Sequence, residues 1–340
     1  MWRSLLLLLL AWGAPALAQF PPLPPGPPPT EANIAYAPAD PAISKGHLLD
    51  LYLPPSHGKP VPVLIYTGGS AWFFDNGKDS AGWVAAKLLP EGYAVAGVSV
   101  RSSSQTHFPG QLHDIKAAIR WLRANAARYH LDANHIGIMG DSSGGWASAI
   151  AATTGDVPAL EGNLGTTGVS SAVQAAIAFY PPTTLTEMDR WALHNCKPGL
   201  GMRGIATGEF CHDDADSPES NLIGCAIQGC ADKALAADPA RYISAADPPI
   251  LILHGESDPL VPHNQGERLY MALQKACHDA TFVSLPLAGH GPPWGFLEDD
   301  KVHAGASVRS TRSAGCQMAP PQLATPDWKM LIDFLNAHLK

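Results

Sequence analysis

The sequence predicts an α/β fold with a mostly parallel central sheet, covered by helices on both faces. Three observations carry that expectation. Short β-branched apolar runs recur along the chain, at Val61 to Tyr66, Tyr93 to Val100, His135 to Met139 and Val173 to Phe179. Such mostly apolar runs suit strands buried on two faces. Segments of helical period separate several of them. The composition supplies a large core: hydrophobic residues make up 46% of the 340 residues and charged residues only 15%. That balance excludes wholesale disorder. A formal charge of −8 argues against nucleic-acid binding, which needs clustered Lys and Arg on the phosphates.

Taken in order, Met1-Trp2-Arg3 is a short basic start, followed by an apolar run over residues 4 to 14 and the small triplet Ala16-Leu17-Ala18. This pattern predicts a cleavable signal peptide over residues 1–18, cut after Ala18, and a secreted or periplasmic protein. The apolar run is shorter than the roughly 20 residues a spanning helix needs, so stable membrane insertion is not expected. Removing Arg3 leaves 21 Lys+Arg against 30 Asp+Glu. Residues 19–35 read as a Pro-rich spacer, with seven prolines between Pro21 and Pro29, a density that favours stiff polyproline II. A single domain is expected from residue 36 to the C-terminus.

His47 to Leu53 alternates as a strand, and Val61 to Tyr66 and Tyr93 to Val100 follow as buried ones. Leu112, Ile115, Ile119 and Leu122 then recur at helical spacing, with charged residues on the other faces. His135 to Met139 is the next strand, followed by an Ala-rich helix over Trp146 to Thr153. Val173 to Phe179, Ile250 to Leu253 and Thr281 to Leu285 read as strands. Gln265 to Ala276 and Pro326 to Leu339 read as helices. The stretch 181–248 breaks the alternation. It holds four of the six cysteines and reads as an insertion over the C-terminal edge of the sheet.

In an oxidising compartment the six cysteines are disulfide candidates: Cys196, Cys211, Cys225, Cys230, Cys277 and Cys316. Six cysteines allow 15 pairings. Nearness along the chain favours 196–211, 225–230 and 277–316. No paired C-x2-C and no H-E-x-x-H occurs, so no metal site and no cofactor is expected. Asp213, Asp214 and Asp216 read as a solvated acidic loop rather than a calcium site.

The chemistry concentrates in Gly140-Asp141-Ser142-Ser143-Gly144-Gly145, which fits G-x-S-x-G between an apolar strand and an Ala-rich helix. That context makes Ser142 the candidate nucleophile on a sharp strand-to-helix turn. The Ser143 N–H, at the start of the helix, is a candidate oxyanion donor. The same string differs by one serine from the G-D-S-G-G of chymotrypsin-like proteases, but those fold as all-β barrels with His and Asp before the serine. Here the acid and base candidates come after it. Asp258 follows the strand ending at Leu253, with Glu256 as second choice. His290 follows the strand Thr281 to Leu285, with His303 as second choice. The order Ser142, Asp258, His290 is that of an α/β-hydrolase. A second oxyanion element is expected after Tyr66, in Thr67-Gly68-Gly69-Ser70-Ala71-Trp72. It resembles the H-G-G-G-W loop of esterases, without the His. Alignment on the Gly pair makes Gly69 and Ser70 the donors; alignment on Trp72 makes them Ser70 and Ala71. Trp72, Phe73 and Trp294 are candidate substrate contacts.

Several of these pieces together resemble the BD-FAE-like group of esterases, related to bifunctional feruloyl/acetyl-xylan esterases. The matching segments are Leu49-Asp50-Leu51-Tyr52-Leu53-Pro54, the Gly68 to Trp72 loop, Gly140 to Gly145, Ser217-Pro218-Glu219-Ser220 with Leu222-Ile223-Gly224, and His254 to Pro262. The resemblance runs from about Ala42 to the C-terminus. It implies hydrolysis of carboxylic esters without a cofactor, on small-molecule or polysaccharide esters such as acetyl or feruloyl ones. A serine peptidase of the same fold is the second reading. A non-catalytic binding module is the third, disfavoured because Ser142, Asp258 and His290 stand in order.

Overall fold

The structure is a computed structural model and describes residues 26–55, 58–200, 204 and 209–340. The expected signal peptide and the first part of the Pro-rich spacer lie outside the described residues. Among the described residues a single ten-stranded sheet organises the chain. Its middle is β4 (Ala94–Val98), β3 (Val61–Thr67), β5 (Leu131–Asp141), β6 (Ala175–Phe179), β7 (Ile250–Gly255) and β8 (Ala280–Leu285). These six are parallel throughout. Every residue of β4, β6 and β7 is buried, as expected for strands covered on two faces.

The edges are antiparallel. At one side β2 (Leu48–Tyr52) pairs with β4, and β1 (Glu31–Ala35) pairs with β2. This corrects the spacer boundary: the last five residues of 19–35 join the sheet. Their alternation is masked because β1 is an outer strand with almost no buried face. At the other side β9 (Ser307–Arg312) pairs with β8, and β10 (Gln317–Leu323) pairs with β9. β10 is exposed along its length and carries Pro320 and Pro321, which cannot donate to a ladder.

Two apolar layers fill the faces. One packs α2 (Gly110–Ala124), α4 (Ser143–Thr153) and helix Asn264–Lys275 against residues such as Ile65, Ile138 and Ile252. The other packs α1 (Gly82–Leu88) and the C-terminal helix Trp328–Leu339 against Leu64, Met139 and Leu251. A short α3 (Ala126–Tyr129) leads into β5. Among the described residues no helix is long and apolar enough to cross a membrane. The three disulfides are Cys196–Cys211, Cys225–Cys230 and Cys277–Cys316, the pairing that nearness favours.

Register decides what meets at the carboxyl ends of the strands. Thr67 of β3 pairs with Gly140 of β5, and Asp141 pairs with Phe179 of β6. Gly255 of β7 pairs with Leu285 of β8. The loops that follow β3, β5, β6, β7 and β8 therefore emerge side by side, where open α/β sheets bind ligands.

Candidate active site

Ser142 occupies the turn between β5 and α4 with φ 55° and ψ −124°, a strained conformation for a side chain with a Cβ. The turn is held by Ser142 N–H donating to the Phe179 carbonyl and by Trp146 N–H donating back to Ser142. Small residues are required around it. A Cβ on Gly144 would stand 2.1 Å from the Thr67 oxygen, and one on Gly145 2.4 Å from the Phe179 oxygen. These contacts explain G-x-S-x-G-G locally: α4 starts against two neighbouring strands.

His290 reaches Ser142 from the loop after β8. Its Nε2 lies 3.2 Å from Ser142 Oγ, and its Nδ1 lies 2.8 Å from Asp258 Oδ2. Asp258 comes from the loop after β7 and is 1% exposed. Its other oxygen accepts from Leu260 N–H at 2.8 Å and Val261 N–H at 2.9 Å. Burial works to raise this carboxyl, but the adjacent His290 and these hydrogen bonds hold it below the usual carboxylate range. The second-choice residues are elsewhere. Glu256 accepts from Ser284 Oγ at 2.5 Å, and His303 is tied to Asp300 and the Pro326 carbonyl. His254 lies 3.7 Å from Asp258, yet burial pushes its pKa down to about 3, so it stays neutral, with Nε2 at the Val261 carbonyl. It does not compete with His290 for the charge of Asp258.

The oxyanion loop departs from expectation. Ser70 N–H donates to Ser143 Oγ at 2.9 Å. Asp141 accepts from Tyr66 Oη at 2.6 Å. Gly69 sits so close to the elbow that an added Cβ would be 2.6 Å from Ser142 Cβ. Thus Gly69 and Ser70 pin the loop to the elbow, and Ala71 lines the cavity beside Ser142 and Ser143. Ser70 is a donor in both registers but its N–H is on Ser143 Oγ, which leaves Ala71 as the candidate of this loop that lines the cavity. Ala71 and Trp72 both have positive φ, 49° and 58°, which turns the loop back over the elbow.

A narrow cavity of about 40 Å³ opens on Ser142, Ser143 and His290. Trp72 lines it, packed edge-on against Trp146. Phe73 is half-buried outside its wall. Trp294 packs on Trp83 at 5.6 Å and is not in the wall, which corrects its reading as a substrate contact. Its closeness to His290 in sequence misled, because the helix Pro293–Glu298 turns it toward the layer containing α1. The insertion supplies the opposite wall, with Phe210, His212, Pro218 and Glu219. The last two were visible in sequence only as part of a matching segment. His212 Nδ1 lies 3.0 Å from Glu219 Oε1. Burial works to lower the His212 pKa, but the Glu219 charge outweighs it and raises it. Among the described residues the one cluster with metal-ligand spacing is Asp189, Cys196 and Cys211, and its two sulfurs are joined in a disulfide.

A nucleophile elbow, a following acid and a following base at the carboxyl edge of a mostly parallel sheet define the α/β-hydrolase fold. Residues 49–273 match the family described as BD-FAE, and the chain belongs to that family. Among curated proteins it is similar to Esterase LipQ of Mycobacterium tuberculosis, at 29% identity over 76% of this chain and 56% of that protein. The chain spans about half the length of the curated relatives it matches. Among solved structures it is similar to a bifunctional GH43-CE protein of Bacteroides eggerthii, with 35% identity, 77% of this chain and 35% of that one covered, and a TM-score of 0.67. A truncated carbohydrate esterase from gut microbiota gives 33% identity, 77% and 89% coverage, and a TM-score of 0.66.

Proposed function

We propose that this protein is a serine carboxylic-ester hydrolase that removes short acyl groups, with Ser142, His290 and Asp258 as its triad. The observation that carries this reading is the continuous line of hydrogen-bond distances from Ser142 Oγ through His290 to the buried Asp258. Ser142 Oγ attacks the ester carbonyl carbon while His290 Nε2 takes its proton. Asp258 keeps the other ring proton on Nδ1 and stabilises the imidazolium. The carbonyl oxygen becomes an oxyanion facing the N–H groups of Ser143 and Ala71. His290 then protonates the departing alkoxide. Water, deprotonated by His290, attacks the acyl-serine and releases the acid and free Ser142.

The narrow cavity beside Ser142, about 40 Å³, supports a small acyl group such as acetyl over a bulky one such as feruloyl. Similarity to carbohydrate esterases supports an acetylated sugar or polysaccharide as the alcohol part. The three disulfides support export, in keeping with the signal peptide read at residues 1–18. N-terminal sequencing of the exported protein should begin at Gln19, and a protein retained in the cytoplasm with Met1 intact would refute export.

The enzymatic test is hydrolysis of p-nitrophenyl acetate, butyrate and a feruloyl ester by the wild type and Ser142→Ala. The acetate should be cleaved fastest, and Ser142→Ala should lose at least about 10⁴-fold in kcat. Undiminished turnover by Ser142→Ala would refute the nucleophile, and a faster feruloyl ester would refute the short acyl site.

A further inference from the structure

The cavity wall contains a polar pair that the hydrolytic chemistry does not use. His212 is 3% exposed and Glu219 is 2% exposed, and both face the space that holds Ser142 and His290. Buried carboxylates elsewhere in the fold are fully engaged. Asp114 is bound by His47 and by Arg101, and Asp50 by Lys78 and Asn33 N–H. Glu219 differs. Its Oε2 is the one buried carboxylate oxygen among the described residues without a hydrogen-bond partner. Its Oε1 is close to His212 Nδ1, but the N–H is not aligned on it, so the contact is an ion pair by proximity. A buried acceptor left open costs about 1 to 3 kcal/mol, and such groups call for a physical reason.

The pair is also held in place from behind. His212 follows the disulfide-bonded Cys211, and its N–H donates to Asp189. Phe210 lies 4.4 Å from its ring. Glu219 sits between Pro218 and Ser220, whose N–H donates to Ser217 Oγ. An acceptor this rigid, one wall away from the nucleophile, is placed for a ligand atom.

We propose that Glu219 Oε2, backed by His212, is a substrate-binding subsite that accepts a hydrogen bond from a free hydroxyl of the ester substrate. The inference rests on the esterase reading above and sharpens it to esters of partly acylated polyols, sugars included. A hydroxyl is a neutral donor and brings no second charge to a carboxylate that already has His212 at 3.0 Å. The rest of the wall, Trp72, Phe210, Pro182 and Pro218, is apolar and suits the C–H faces of a ring that carries the hydroxyl.

The test uses matched esters: cyclohexyl acetate, trans-2-hydroxycyclohexyl acetate and cyclohexyl glycolate. The second carries the hydroxyl on the alcohol and the third on the acyl group, so the two sources are separated. The wild type should favour a hydroxyl-bearing ester, and the alcohol-side one is expected to win. In Glu219→Gln the ratio of kcat/KM between that ester and cyclohexyl acetate should fall about 10- to 100-fold, the range for a hydrogen bond to a charged group. An unchanged ratio would overturn the subsite. Should the variant not fold, the wild type still decides. trans-1,2-Cyclohexanediol should inhibit hydrolysis of p-nitrophenyl acetate at least tenfold more strongly than cyclohexanol, and equal inhibition overturns the proposal. A wild type that cleaves p-nitrophenyl acetate but shows no hydroxyl preference refutes the subsite alone. One that cleaves no ester refutes the esterase reading with it.

Discussion

Replacement of Asp258 by Asn tests the site at its most constrained point. The carboxylate is 1% exposed, and its two oxygens have different duties. Oδ1 accepts two backbone N–H groups, from Leu260 and Val261, while Oδ2 faces His290 Nδ1 at 2.8 Å. An Asn side chain has one acceptor and one donor end. The two backbone donors hold its oxygen, so its NH₂ must face His290. That forces Nδ1 to accept and moves the ring proton to Nε2, toward Ser142 Oγ. A protonated Nε2 cannot take the serine proton. The equivalent change in a serine protease triad lowers kcat about 10⁴-fold, or roughly 5.4 kcal/mol at 1.36 kcal/mol per decade. The same loss is expected here with p-nitrophenyl acetate, with KM little changed. Thermal unfolding monitored by circular dichroism verifies that the variant folds. A folded Asp258→Asn enzyme that keeps more than about a tenth of wild-type kcat would refute the assigned role of Asp258.

Two further outcomes follow from the scaffold. The Cys277–Cys316 bond closes a loop of 39 residues and ties the end of helix Asn264–Lys275 to the β9–β10 turn, so the double change to Ser should cost about 4 kcal/mol by loop entropy, read as a lower Tm; an unchanged Tm would show that strand pairing alone holds this edge. His47 faces two acceptors, the Pro38 carbonyl at 2.5 Å and Asp114 at 3.1 Å, and Asp114 outweighs burial to raise its pKa above 6.5. A raised folded pKa gives stability that is complete below the unfolded value and lost as pH rises through the folded one. The Tm gap between wild type and His47→Gln should therefore be wider at pH 5.5 than at pH 9, and an equal gap would refute protonation of His47 in the fold.

Much of the site was legible because its chemistry is local in sequence. The elbow needs glycines within a few residues of Ser142, and Asp258 and His290 each follow an apolar strand in a loop with a recognisable turn. Ser142, Asp258 and His290 could therefore be picked out, and Glu256 and His303 ranked behind them, without coordinates. Other residues were not legible, for identifiable reasons. Strand β1 hides because an outer strand with an exposed face has no buried period. Trp294 reads as a neighbour of His290, although the helix between turns it to the other layer. Which amides of the 68–72 loop face the cavity depends on Ser143, whose Oγ captures the Ser70 N–H.

By itself, then, the sequence determined the parallel sheet, the chain order of the candidate residues Ser142, Asp258 and His290, and the cysteines available for pairing. Periodicity and tight-turn chemistry act over a few residues and leave their mark in a linear string. Only the tertiary structure decided that His212 and Glu219, from a segment with no clear period, stand opposite Ser142 across a cavity of about 40 Å³. It also decided that Ala71 rather than Gly69 faces that cavity. Both depend on the register of neighbouring strands and on what fills the space between distant loops, and neither has a local signature.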